Sequence, residues 1–284
     1  MLSYAGAIAY ALFLWWFSTG VILYLDKRQS WTYPWSMLGA TLLLGLSLLA
    51  LYLIRDHGTP LGAYVGFSGG VLIWGWMEMS YFMGFVTGPR KHACPRDCGG
   101  WRRFWLAIQT SLYHELAIVV TGLILVWITW DSVNQVGTWT FIILWWMRWS
   151  AKLNLFFGVP NLNEDWLPEH IRFLTSYLSK RPMNLLFPVS VSVATVIMSL
   201  LVEAALDLPA TGFAAVALML TATLLALAIL EHWFMVLPLA DGVLWNWALD
   251  SGRRRSGAAA ANAGDGGPPR SDAAAFARRG DAQV

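Results

Sequence analysis

Ionisable side chains inside otherwise apolar stretches are the residues of this chain best suited to chemistry. Such groups are costly in a hydrocarbon environment, so they usually face protein, a cavity or an opposite charge. Carboxylates and imidazoles can also ligate metals. The acidic and histidine members of this set are Glu78, His114, Glu115, Glu231 and His232. Their candidate charge or hydrogen-bond partners are Arg148, Lys152 and Asn154.

Seven apolar stretches are long enough to hold these residues in a membrane. A bilayer core about 30 Å thick is crossed by roughly 20 helical residues. The chain is 57% hydrophobic and 13% charged, whereas soluble domains carry about 25% charged residues. We therefore predict an all-α polytopic membrane bundle of seven transmembrane helices. The predicted spans are Leu2–Leu25, Pro34–Ile54, Leu61–Thr87, Phe104–Trp130, Thr138–Phe157, Asn184–Leu206 and Gly212–Leu237.

Basic residues fall in alternate loops of this bundle. Lysines and arginines follow spans one, three, five and seven, whereas the other loops carry only Arg55. Since loops with this bias stay in the cytoplasm, we predict a periplasmic N-terminus and a cytoplasmic C-terminus. The expected location is a bacterial inner membrane, either cytoplasmic or intracytoplasmic. The arginines at 253–255 favour anionic lipid head groups as partners and are too few to indicate nucleic acid.

Composition divides the chain into two parts. Residues 1–250 form the predicted transmembrane domain, with an amphipathic helix at about 165–180 lying in the cytoplasmic interface. Residues 251–284 are rich in Ala, Gly, Pro and charge. Such a segment buries no core, so we predict a disordered cytoplasmic tail.

Four predicted spans place their ionisable residues at one depth. Glu78, the His114–Glu115 pair, Arg148 and Lys152, and the Glu231–His232 pair lie within about 5–11 residues of the cytoplasmic boundary, roughly 8–16 Å deep. The term polar layer is used below for eight residues: Glu78, His114, Glu115, Arg148, Lys152, Asn154, Glu231 and His232. Three interpretations are open: a metal site of Glu and His, ligation of a chlorin magnesium by His114 or His232, and charge pairs that tie helices together.

Two further polar clusters lie in the predicted cytoplasmic loops. His92, Cys94 and Cys98 could bind a metal, although structural zinc sites favour four ligands. Thiols on a cytoplasmic loop are expected to stay reduced. The second cluster follows span five and could hold a partner or head group, or simply form a capped, solvated loop. Its members are Asn161, Asn163, Glu164 and Asp165.

One helix face in the third span favours close packing. Gly66 and Gly70 form a small-xxx-small pattern, which lets two helix backbones approach each other.

Three longer segments resemble a known family. They read GFVTGPRKHACP, KLNLFFGVPNLNEDWLPEHIRFLTSYL and EHWFMVLPLADGVLWNWAL, and they resemble the photosynthetic complex assembly protein 2 family, also called PuhE. The resemblance covers 1–250. Its members are seven-span proteins of bacteriochlorophyll-containing purple bacteria, encoded near the reaction-centre H subunit. The resemblance implies an assembly role for the reaction centre and core light-harvesting complex, through pigment supply or complex formation, and implies no catalytic residue.

These observations favour a non-catalytic assembly factor, with photosynthetic polypeptides as partners. A bacteriochlorophyll, a precursor of it or a transition metal remains open as a cofactor. The first alternative is a membrane-embedded metal-dependent enzyme of pigment or lipid metabolism that uses the Glu and His residues of the polar layer. The second is a small-molecule transporter, although seven spans do not divide into equal halves.

Overall fold

The structure, a computed structural model, describes residues 2–162, 167–237 and 244–245. This part of the chain is helical, and its only β-type pairing is an isolated bridge between Val159 and Lys180. Within it, 3-10 helices cover Ser30–Thr32 and Glu169–Tyr177. The α-helices are α1 (Leu2–Asp26), α2 (Tyr33–Ile54), α3 (Pro60–Phe82), α4 (Gly100–Gln109), α5 (Leu112–Ile128), α6 (Val136–Phe157), α7 (Leu186–Leu206) and α8 (Phe213–Phe234).

Several of these helices are suited to a membrane. By length and apolarity, four could cross it: Tyr4–Asp26, Ser30–Ile54, Leu186–Leu206 and Phe213–Phe234. The bent pair α4 and α5 would make a fifth span. The described part of the chain is therefore all-helical and suited to crossing a membrane several times. Each of the seven predicted stretches contains α-helix, but α3 and α6 do not reach the apolarity of the other candidate spans. Seven spans and the orientation stay predictions.

The fourth predicted stretch is broken rather than continuous. Between α4 and α5 the chain bends by 63°. The loop that follows α3 supplies partners for the backbone groups at the break: the N–H of His114 donates to the carbonyl of Thr87 (2.9 Å), and the N–H of Arg90 donates to the carbonyl of Gln109 (3.3 Å). A helix break inside an apolar stretch is tolerated when neighbouring groups satisfy the freed backbone in this way.

The third predicted stretch ends earlier than its hydropathy indicates. Gly84 has a φ of +82°, a left-handed conformation that suits glycine at the end of a helix. The N–H of Phe85 donates to the carbonyl of Ser80 (2.9 Å), and the N–H of Gly84 donates to that of Tyr81 (3.0 Å). This pair of bonds is a Schellman motif, so α3 stops at Phe82 although apolar residues continue.

Two predicted segments are described only in part. A short helix lies within the predicted interfacial segment, but it is a 3-10 helix over Glu169–Tyr177. Residues 163–166 and the predicted tail at 251–284 lie outside the described residues.

Helix α8 lies at the centre of the bundle. About 67% of the residues in its apolar 18-residue segment are buried, against 11% for the corresponding segment of α1 and 17% for that of α7. Leu220 and Leu224 of α8 pack with Phe67 of α3 and Ala11 of α1 in the largest apolar cluster. Helix α3 contacts α1, α2, α6 and α8. The two most enclosed helices, α3 and α8, therefore carry Glu78 and Glu231 into the bundle.

The predicted small-residue face of α3 packs closely on α6. A Cβ atom added at Gly70 would lie 2.6 Å from the carbonyl oxygen of Gly137 and 2.8 Å from Cβ of Thr140. One added at Gly66 would lie 3.2 Å from Cβ of Val136. The predicted close contact is confirmed, and its partner is α6.

Replacing Gly70 tests this contact. We expect Gly70→Ala to lower the free energy of unfolding by about 1–3 kcal/mol, because the new methyl group overlaps the backbone of α6. The matched control is Gly45→Ala in α2, where an added Cβ meets nothing within 4 Å. Both changes raise helix propensity equally, so the difference between the two unfolding midpoints in mild detergent reports the overlap. Equal midpoints would contradict a tight α3–α6 contact.

Candidate functional site

The polar layer is divided into two groups. The first surrounds a cavity of about 330 Å³ between α1, α3, α6 and α8. The second is centred on Lys152, which lines a cavity of about 180 Å³ beneath the 3-10 helix Glu169–Tyr177. Arg148 lines both cavities, so α6 forms the wall between them. The titratable groups on the wall of the larger cavity are Asp26, Glu78, Arg148, Glu231 and His232.

An ion pair crosses the larger cavity from α3 to α6. Nη2 of Arg148 lies 3.0 Å from Oε2 of Glu78, and their side chains are 24% and 12% exposed. The guanidinium group also lies over the ring of Phe82, 5.6 Å from its centre. Oε1 of Glu78 and Nε of Arg148 have no hydrogen-bond partner. The pair is therefore held by one contact and keeps unused hydrogen-bonding capacity on both sides.

Glu231 and His232 are adjacent on α8 but make different contacts. Glu231 accepts a hydrogen bond from Nε1 of Trp15 (2.7 Å). His232 is buried, and its Nδ1 lies 2.8 Å from the carbonyl oxygen of Ala228. Since a carbonyl only accepts, Nδ1 carries the proton, and Nε2 accepts from the Ser150 hydroxyl at 2.8 Å. Both ring nitrogens of His232 are thus engaged within the protein.

The second group is built around Lys152. Its ammonium group pairs with Glu115 of α5 and lies over the Tyr81 ring, 5.3 Å from the ring centre. His114 is fully buried, with its ring centre 4.8 Å from that of Tyr81. Neither ring nitrogen of His114 has a hydrogen-bond partner, and the side chain lines neither of the two cavities. This group links α3, α5 and α6.

Asn154 links helices rather than lining a cavity. Its Nδ2 donates to the carbonyl of Ser150 (2.9 Å) and to the hydroxyl of Ser190 on α7 (3.3 Å). Its backbone carbonyl accepts from Nδ2 of Asn184 (3.1 Å). Asn154 therefore ties α6 to α7.

Sequence reasoning missed Asp26, Ser150 and Trp15. Asp26 is the last residue of α1, one residue beyond the predicted end of span one, and it is 6% exposed. A carboxylate at the end of an apolar stretch was the available signal. Ser150 and Trp15 gave no comparable signal, because their importance comes from the partners that the fold brings to them.

The structure does not support a metal site in the polar layer. Within 2–162, 167–237 and 244–245, no three His, Cys, Asp or Glu side chains come together so that they could hold a metal ion. The division by α6 is the reason: Glu115 and His114 lie on one side, and Glu231 and His232 on the other.

A bacteriochlorophyll also fits the two histidines poorly. His114 lines neither cavity, so no space for a macrocycle adjoins its nitrogens. His232 lines the larger cavity, but its Nε2 already accepts from Ser150. A cavity of about 330 Å³ is also at the low end of the roughly 300–1,000 Å³ that holds drug-sized molecules. These residues do not fit a complete pigment.

The loop cysteines differ from the expectation of reduced thiols. Cys94 and Cys98 are joined by a disulfide, so they offer no thiolates to a metal. The His92 carbonyl accepts a hydrogen bond from the Tyr177 hydroxyl (2.9 Å). Asp97 of the same loop pairs with a neighbouring arginine, and this hydrogen bond lowers the pKa of its carboxyl. Disulfides persist in oxidising compartments; the side of the membrane on which this loop lies stays a prediction.

Asn161 is the member of the second loop cluster that the structure describes. Its backbone N–H donates to the carbonyl of Met235 (3.1 Å), and its Nδ2 donates to that of Phe234 (2.9 Å). Asn161 thus satisfies carbonyl groups at the C-terminal end of α8. Asn163, Glu164 and Asp165 lie outside the described residues.

A double-mutant cycle tests the pair of Arg148 and Glu78. We expect Arg148→Gln to lower the free energy of unfolding by about 2–4 kcal/mol, since it leaves a largely buried carboxylate without its cation. Adding Glu78→Gln should restore part of this loss. The measurement is thermal unfolding in mild detergent.

A surface pair is the control for this cycle. Arg55 and Asp56 form an ion pair with side chains 32% and 69% exposed, so Arg55→Gln should shift the unfolding midpoint far less than Arg148→Gln does. Strictly additive effects of the Arg148 and Glu78 changes would show that their contact contributes nothing.

Comparisons with known proteins agree with a photosynthetic gene neighbourhood. The chain is 38% identical over 244 residues to a protein of Rhodobacter capsulatus named "Uncharacterized 30.4 kDa protein in puhA 5'region". The match covers 84% of this chain and 89% of that protein. This fits a puh-region protein of a purple bacterium, but the relative does not carry the name PuhE. No solved structure matches. Residues 1–256 match a family described as "Protein of unknown function (DUF3623)", and the chain belongs to this family.

Proposed function

We propose that this protein is an assembly factor for the bacterial photosynthetic reaction centre and its core light-harvesting complex. It acts in the inner membrane, by promoting complex formation rather than by catalysing a reaction. Reaction-centre or light-harvesting polypeptides are its partners. Of the two routes considered, complex formation and pigment supply, the geometry favours the first.

The observation that carries this proposal is the relative from Rhodobacter capsulatus. Its name places it in the 5' region of puhA, a reaction-centre gene, and the similarity covers 84% of the present chain. Genes for one assembly are often neighbours in bacteria, so the location supports a role connected with the reaction centre.

The helical surfaces support contact with other membrane spans. Three helices bury little of their apolar 18-residue segments within the protein: 11% for α1, 22% for α2 and 17% for α7. These surfaces are available to lipid or to helices of another polypeptide. Small residues and aromatic side chains on such surfaces allow helix–helix packing without a soluble domain.

The interior supports complex formation over pigment supply. A pigment carrier needs a free histidine nitrogen facing a space as large as the macrocycle. His114 lines neither cavity, and His232 is bonded to Ser150. The charged groups of α3, α5 and α6 pair with one another, as expected when they hold a scaffold together.

Deleting the gene from its pigmented host tests the proposal. We expect membranes of the deletion strain to show reduced reaction-centre and core-antenna absorbance per unit of membrane protein. Wild-type protein and Gly45→Ala should both restore it. Unchanged absorbance during phototrophic growth would refute the assembly role.

Purification from the same membranes tests the route. We expect tagged protein in mild detergent to retain photosynthetic polypeptides. We expect it to contain neither bacteriochlorophyll nor a transition metal in a stoichiometric amount, that is, at one molecule or ion per chain. A stoichiometric chlorin band that disappears in His232→Ala would identify a pigment carrier instead. Stoichiometric iron lost on replacing Glu and His residues of the polar layer would identify an enzyme.

A further inference from the structure

The larger cavity has an excess of acidic side chains. Among the described residues, its wall carries three carboxylates, from Asp26, Glu78 and Glu231. Arg148 is the one cation among these lining residues, and it pairs with Glu78. The fifth titratable group, His232, has both ring nitrogens engaged, by the carbonyl of Ala228 and the hydroxyl of Ser150. Two carboxyl groups, those of Asp26 and Glu231, therefore have no cation opposite them among the described residues of the wall.

Asp26 has a carboxyl oxygen that makes no hydrogen bond. The residue is 6% exposed, and its side chain lines the cavity. Oδ1 of Asp26 is buried and has no hydrogen-bond partner. Glu78 lines the same cavity, and its buried Oε1 has no partner either. A buried polar atom without a partner is costly, so a ligand that supplies a positive charge or a donor would be stabilised here.

The other walls of this cavity are aromatic and aliphatic. Trp15, Trp74 and Phe82 line it, together with Leu144 and Met147. Aromatic faces attract cations through their quadrupole, most strongly where water is excluded. They also contact the apolar parts of a ligand. An inorganic metal ion would leave these walls uncontacted, and no set of three metal-ligating side chains occurs in the described part of the chain.

We propose that this cavity is a binding site for a small organic cation. The ammonium group of the ligand is held by the carboxylates of Asp26 and Glu78, and its alkyl groups pack against Trp15, Trp74 and Phe82. The volume of about 330 Å³ suits a compact molecule rather than a pigment or a whole lipid. The proposal does not depend on the assembly role.

Choline and its uncharged carbon isostere, 3,3-dimethyl-1-butanol, are the probes for this site. The two have nearly the same shape, so a difference in affinity reports the charge. Calorimetric titration of the full chain in a maltoside detergent, at constant ionic strength, should show choline binding at one site per chain. The uncharged isostere should bind about tenfold more weakly or not at all, a difference of about 1.4 kcal/mol.

Asp26→Asn tests the residue with the unused oxygen. This change keeps the shape and removes the charge, and we expect it to weaken choline binding about tenfold or more. The matched control is Glu203→Gln, which removes an exposed carboxylate at the end of α7, away from the cavity. That variant should bind choline within about twofold of the wild type.

Three results would overturn the proposal. They are no choline binding up to about 10 mM, equal binding of choline and the uncharged isostere, and undiminished binding by folded Asp26→Asn. The comparison of the two probes uses the wild-type protein alone, so it decides the matter even if Asp26→Asn does not fold. Loss of choline binding would leave the assembly proposal standing, because the deletion strain tests that role separately.

Discussion

The cost of charge in an apolar bundle constrains this structure more than any other interaction. Arg148 and Lys152 lie one helical turn apart on α6, and each finds a carboxylate on a different neighbour: Glu78 on α3 and Glu115 on α5. The rotation of α6 is fixed by this requirement, because turning it would expose one cation to lipid. The close α3–α6 contact at Gly70 then brings the two helices near enough for the pair to form.

The sequence allowed the helices to be predicted better than their ends. Length and apolarity identified all seven helical stretches, since a run of about 20 apolar residues has few other structures open to it. Hydropathy could not detect the Schellman motif after Phe82, which depends on the φ angle of Gly84. The bend between α4 and α5 was missed for a similar reason: it is stabilised by hydrogen bonds from a loop distant in sequence.

The polar layer was predictable as a set of residues but not as a site. Depth along each helix can be counted from the sequence, and it placed these residues at one level. Rotation about each helix axis cannot be counted in the same way, and it separates His114 from His232 on opposite sides of α6. Asp26 was not predicted as a site residue because it is the last residue of its helix, where a charged side chain is usually exposed to water. The fold instead buries it in the cavity.

The bend before α5 has a consequence for the surrounding bilayer. Helix α5 has 17 residues and so reaches about 26 Å, less than the roughly 30 Å of an average hydrocarbon core. Helix α4 has ten residues, or about 15 Å, and because it is inclined by 63° to α5 it adds about 7 Å of height. The bent pair together therefore reaches about the thickness of that core. Because α4 lies obliquely, with Trp101 and Trp105 exposed, the pair covers more area near one interface than an upright helix would, and the lipids there must pack around a tilted, aromatic surface.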